Sequence, residues 1–352
     1  MNRQRDGGAG SFELSPPSLV LNNDAKFTVT IAHADSGGNM QGVLQGFSIV
    51  LILIGVGLVT AKALPRKRES IATGLTPLIY YITNPALMFM LLSETDLQQV
   101  LGVYTPVALI TAALTGGLYA LGAKLIFKVP TARLSGAAMS TSYVNAGNIG
   151  VPLALYAVGS TNPVVSVLIA QLLMIAPVYL CLFALTARAG IRPENRTPLG
   201  KTILRSIANP VTIATFIGAS FAAFNLHLPE VINTPLDMLG QASIPLLLMA
   251  FGMSLYGQRP LANKALRGEV FLATFFKMIF MPLVAWVVAS QVFKLNGTDL
   301  LGVVIMAALP TAQNVLLFSQ QFRLESTMVR EVILSSTLLA LPVSLVITLF
   351  LG

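Results

Sequence analysis

The residues whose types and spacing could bind something are concentrated in Tyr143–Pro152, which reads Tyr-Val-Asn-Ala-Gly-Asn-Ile-Gly-Val-Pro. Two carboxamides, Asn145 and Asn148, stand three positions apart, with Gly147 and Gly150 among them and Pro152 closing the stretch. A carboxamide both donates and accepts hydrogen bonds. Glycine lets backbone come close to a ligand, and proline removes a donor and clashes with the carbonyl one turn back. Downstream, Pro310, Thr311, Gln313 and Asn314 again put a proline beside amides. Neither group offers a nucleophile with its base, a carboxylate pair or a set of metal ligands. The chemistry on offer is hydrogen bonding to a polar solute.

The surroundings make that chemistry unusual. The first group lies in the longest uncharged run of the chain, between Arg133 and Arg188. One helix needs about 20 apolar residues to cross the hydrocarbon, so the run holds two spans. The whole chain is 55% hydrophobic and 10% charged, with a mean hydropathy of +0.76. A soluble domain carries about 25% charged residues. The composition therefore predicts an all-α integral membrane protein. Amides in hydrocarbon must find partners, and irregular backbone is tolerated only where protein buries it or it lines a cavity. A proline-kinked helix with small residues for close packing would explain one such segment. Two interrupted spans in matching places point instead to the binding site of a carrier.

Spans are expected at about 43–63, 71–92, 101–126, 136–158, 164–187, 207–226, 233–256, 270–292, 300–321 and 332–351. Residues 1–39 are polar and read as a disordered tail, with Met40 opening the first span. Residues 40–188 and 207–352 then form two five-helix halves, joined by a basic linker over 189–206. Lys62, Arg66, Lys67, Arg68, Lys124, Lys128, Arg133, Arg188, Arg192, Arg196, Lys201, Arg205, Arg259, Lys264, Arg267, Arg323 and Arg330 all fall on one side. Only Arg3, Arg5, Lys26 and Lys294 fall on the other. The basic side is expected to be cytoplasmic, which puts both termini, and the tail, outside. Five spans per half make any internal repeat an inverted one. A weak repeat is written in Thr76-Pro77-Leu78 before Asn84-Pro85-Ala86-Leu87, and in Thr234-Pro235-Leu236 before Ser243-Ile244-Pro245-Leu246.

A carboxylate at mid-membrane needs donors and positive potential, and the N-termini of half-helices supply both. Pro152 and Pro310 are expected as first residues of restarted half-helices, where a missing N–H costs nothing. Asn145, Asn148, Gly150, Thr311, Gln313 and Asn314 complete the candidate binding set. Tyr143 adds a hydroxyl or packs an interface, and Asn84 and Gln241 line the cavity or glue helices together. Lys277 is the basic residue deepest in a span, either facing a cavity or snorkelling to the interface about two turns away. Asp237, early in its span, is a cation or proton ligand or an interfacial acid. No carboxylate falls at mid-membrane, so coupling to H+, to Na+ or to neither stays open.

Other classes find no support. Cys181 is the single cysteine, and His33 and His227 lie outside the spans, so no metal site or cofactor is expected. No hydrolase, metalloprotease or P-loop motif occurs, which argues against an enzyme and an ATP-driven pump. The net charge of +8 follows from the loops and is no sign of nucleic acid.

Four pieces resemble the auxin efflux carrier family: Asn84-Pro85-Ala86-Leu87, Asn145 to Pro152, Phe251-Gly252-Met253-Ser254-Leu255, and Leu309-Pro310-Thr311-Ala312-Gln313-Asn314. The resemblance runs from Met40 to the C-terminus and leaves residues 1–39 without a counterpart. Bacterial members include malate and malonate carriers, and plant auxin carriers are relatives. It implies the fold of sodium/proton antiporters and bile-acid symporters: ten helices as two inverted five-helix repeats. Spans 4 and 9 would unwind and cross at mid-membrane, and the crossing would hold the substrate. The expectation is a secondary carrier for a small organic anion in the bacterial inner membrane, working by alternating access. An anion channel, a uniporter or a membrane receptor or scaffold are the alternatives, and homodimerisation is open.

Overall fold

The computed structural model describes residues 40–188, 210–257 and 263–352, with single positions at 200, 204, 208 and 261. The expected tail (1–39) and nearly all of the expected linker (189–206) lie outside the described residues. Within them the chain is helical, with no strand and one isolated antiparallel bridge between Val144 and Thr311. The helices are α1 (Met40–Ala63), α2 (Arg68–Ser93), α3 (Val100–Ile126), α4 (Thr131–Ser142), α5 (146–158) and α6 (Asn162–Ala187). After the linker come α7 (Pro210–Ala223), α8 (Glu230–Leu255), α9 (Lys264–Val292), α10 (Gly297–Ala307), α11 (Asn314–Gln321) and α12 (Thr327–Leu351). Six of these, α2, α3, α6, α8, α9 and α12, are long and apolar enough to cross a membrane. Large apolar side chains such as Ile52, Val59, Leu125, Phe271 and Phe350 point outward, as lipid contact requires.

Prolines do not break most of these helices: Pro77, Pro235, Pro245 and Pro342 sit within continuous α-helix, and at five others the turn before the proline adjusts. A π-helical turn ends one residue before an X-Pro pair at Ile79–Thr83, Val100–Tyr104, Ala146–Gly150, Gln171–Ile175 and Phe276–Phe280. The prolines concerned are Pro85, Pro106, Pro152, Pro177 and Pro282. Proline cannot donate to the carbonyl one turn back and its ring collides with it. Widening the preceding turn by one residue moves that carbonyl aside, so the helix continues.

Two groups of helices result. In one, α1 packs along α8, and the second half of α2 packs against α7 and α8. The first of these contacts is backbone on backbone. A Cβ on Gly57 would collide with the Met249 carbonyl, and one on Gly252 with the Ile54 carbonyl. In the other, α3 packs against α4, α6 and α9, while α12 packs against α4, α9 and α10. A buried apolar cluster including Met88, Leu153, Val164, Leu301, Ile305 and Leu309 joins the groups around the two places where helices stop short. Those places are 143–145, between α4 and α5, and 308–313, between α10 and α11.

Candidate functional site: two helix breaks that cross

The two interruptions pair with each other. Asn145 N–H donates to the Pro310 carbonyl at 2.8 Å, and Ala312 N–H donates to the Tyr143 carbonyl at 3.1 Å. These two bonds bracket Val144 and Thr311 as a minimal antiparallel ladder in which each break satisfies the other's backbone. Buried peptide groups need such partners, so neither break is stable alone. Thr311 fixes the crossing further: its N–H donates to Ser336 Oγ at 3.1 Å and its hydroxyl to the Ser140 carbonyl at 2.6 Å. It is 1% exposed. The Thr311 hydroxyl is thus committed to holding the crossing, where the sequence had offered it to a ligand.

The helices that restart after the breaks do not begin at the prolines. After the first break, helical bonds begin with Ile149 and Gly150 N–H to the Asn145 carbonyl, and α5 starts at Ala146. After the second, they begin with Val315 N–H to Ala312 and Leu316 N–H to Gln313, and α11 starts at Asn314. Pro152 therefore lies inside α5, behind a π turn, and Pro310 lies in the extended crossing segment. The residues at the two helix starts are Gly147 and Asn148 on one side and Gln313 and Asn314 on the other. Their N–H groups precede the first helical bonds, as in any helix first turn.

These four residues line one cavity of about 170 Å3 together with Asn145, Tyr143 and Asn84. Asn84 comes from α2, and its Oδ1 is buried with no protein partner. The Tyr143 ring stands edge-on to Phe318. Among the described residues no charged side chain is on the wall, so two helix N-termini and a ring of carboxamides set the electrostatics. Each helix N-terminus carries about half a positive charge. The space suits a small polar solute, since pockets for drug-sized ligands run to about 300–1,000 Å3.

Other candidates fall elsewhere. A Cβ on Gly150 would sit 2.9 Å from Leu309 Cδ1 and 3.0 Å from Val164 Cγ2, so this glycine serves packing of α5 against the second break. Asp237 and Gln241 bond to each other, Gln241 Nε2 to Asp237 Oδ2 at 2.7 Å, one turn apart on α8 and off the cavity wall. Lys277 is fully buried near the middle of α9 and does not snorkel. The sequence pattern starts this span at about 270, whereas the helix begins at Lys264, and that places the ammonium deeper. Its Nζ donates to the Ala307 carbonyl at 3.0 Å and to Met281 Sδ at 3.1 Å.

Sequence reasoning passed over Gln171, which is 3% exposed and borders both this cavity and a neighbouring one of about 30 Å3. It is the lone amide in an otherwise apolar stretch of α6, and that isolation is the signal that could have found it. Thr76, Tyr80, Asn84 and Met88, four residues apart along α2, all border the cavity as well.

Comparison with known proteins identifies the family. The family model described as "Membrane transport protein" matches residues 47–348. A Rhizobium meliloti (strain 1021) protein named "Putative malonate transporter" is 29% identical over 298 residues, 82% of this chain and 89% of that one. An uncharacterized transporter of Methanocaldococcus jannaschii is 28% identical over 313 residues, 84% of this chain and 94% of its own. A rice protein named "Probable auxin efflux carrier component 3b" is 26% identical over 152 residues, 42% of this chain and 25% of that one. The chain is a multi-pass membrane transporter, and no enzyme, belonging to the membrane transport protein family that includes the auxin efflux carriers.

Proposed function

We propose that this transporter is a secondary carrier of a small organic anion, a carboxylate, which it binds at the crossing of the two broken helices. One observation carries the reading: two helix starts deliver Asn148 and Asn314, with Asn145 and Gln313, to a single cavity. A carboxylate there would accept from backbone N–H groups and carboxamides and gain from both helix dipoles. The relative named for malonate supports the substrate class.

In this reading α4 with α5, and α10 with α11, each make one interrupted span, giving ten spans in two inverted repeats of five. The packing supports it, because α1 and α2 of the first half group with α7 and α8 of the second. The basic residues keep the linker on the cytoplasmic side and both termini outside. Alternating access then moves the group bearing the crossing against the α1, α2, α7 and α8 group.

Proteoliposome uptake of labelled malonate, against a panel of mono- and dicarboxylates, tests this. Saturable uptake, accelerated by unlabelled substrate on the opposite side, is the expected result. Flux that neither saturates nor shows counter-flow would make the protein a channel.

A further inference from the structure

Lys277 lies off the wall of the proposed substrate cavity, yet its side-chain nitrogen touches one of the two breaks that form it. Ala307, whose carbonyl it bonds at 3.0 Å, is the last residue of α10. Carbonyls at a helix C-terminus lack helical partners and carry about half a negative charge. In carriers with broken helices, such half-helix C-terminal carbonyls are where a coupling cation is held.

The matching end of α4 is treated differently. There a neutral hydroxyl serves instead: Thr311 Oγ1 donates to the Ser140 carbonyl at 2.6 Å. At the end of α10 an amine takes that place. Among the described residues no carboxylate pairs with Lys277; both ion pairs belong to Arg133. The second ligand of the ammonium is the Met281 sulfur at 3.1 Å. A charge on this buried nitrogen would be costly without a counter-ion, and a helix C-terminus is the neutral structure best able to offset it. The side chain is also spatially fixed, since it is fully buried and held at both contacts.

We propose that Lys277 is a positioning residue whose ammonium takes the place of a coupling cation at the end of α10. The protein's own tethered charge holds the second break in its bound geometry, and the carrier needs no sodium there. The inference rests on the crossing being the substrate site, but part of its test is independent of substrate.

That part is thermal melting of the purified protein in sodium chloride and in N-methyl-D-glucamine chloride. Wild type is expected to melt alike in both. Lys277→Ala is expected to melt lower than wild type and to recover part of the loss on adding sodium or methylammonium, a free cation entering the vacated space. In proteoliposomes, Lys277→Met, neutral and of similar length, is expected to take up malonate at least about tenfold more slowly while eluting as a folded protein, the scale of losing a hydrogen bond to a charged group. Lys277→Arg is expected to retain most of the uptake. Sodium-dependent melting of wild type, or Lys277→Met transporting like wild type, would overturn the proposal. Wild type that carries no malonate would count against the substrate reading alone, and the melting comparison would still decide Lys277.

Discussion

The two helix breaks do the same work on one side and different work on the other. Toward the cavity they are alike: each restarted helix opens with carboxamides, Asn145 and Asn148 at α5, Gln313 and Asn314 at α11. Away from it they diverge. The end of α4 is closed by the Thr311 hydroxyl and the end of α10 by the Lys277 amine. The first break is three residues long, the segment 143–145, and the second spans 308–313. The difference separates two requirements. Helix starts that meet a ligand need particular donors in particular places. Helix ends need their carbonyls satisfied, and here a hydroxyl does so at one break and an amine at the other.

Substitutions can break this division of labour in order of expected effect. Thr311→Val keeps the shape but strips the donor from the Ser140 carbonyl and the crossing. A buried acceptor left unpaired costs about 1–3 kcal/mol, so the melting temperature should fall while malonate affinity stays within a few-fold of wild type. If affinity collapsed with stability intact, Thr311 would belong to the ligand side. Gln171→Leu should show the opposite pattern. A neutral hydrogen bond is worth about 0.5–1.5 kcal/mol, so affinity should weaken by roughly two- to tenfold with little change in melting, as isothermal titration would show. Glu325→Gln tests a contact far from both. Arg133 bridges Glu269 and Glu325 at 2.9 Å each, tying the start of α4 to the start of α9 and to the chain before α12. Glu325 is exposed, so losing its pair should cost no more than about 1 kcal/mol and leave substrate affinity unchanged.

Much of this is written in the sequence because the membrane is an intolerant solvent. Amides, glycines and a proline in a long uncharged run conflict with a plain span, and the breaks fall where that conflict is strongest. Asn145, Asn148, Gln313 and Asn314 could be read for the same reason. The prolines mislead, since proline marks a helix start only when nothing upstream can adjust. Here π turns absorb Pro85, Pro106, Pro152, Pro177 and Pro282, and the helices run on. Thr311 and Gly150 look like ligand-side residues in a linear motif and turn out to hold the crossing and its packing. Which of two adjacent polar groups faces the cavity is decided by the crossing partner, more than 150 residues away in the chain, and no local pattern encodes it. Lys277 reads shallow because the first turns of α9, with Lys264, Arg267 and Glu269, look like loop.

The central claim is that Asn148 and Asn314, from opposite halves of the chain, hold one ligand. It is tested most directly by measuring melting temperature and malonate-induced stabilisation on the same purified Asn148→Ala and Asn314→Ala proteins. Each lost hydrogen bond to a charged group is worth roughly 1.5–3 kcal/mol, so each variant should bind about ten- to a hundredfold more weakly while melting close to wild type without ligand. Variants that bind malonate as wild type does and only melt earlier would contradict the account, and would make both asparagines packing residues of the crossing.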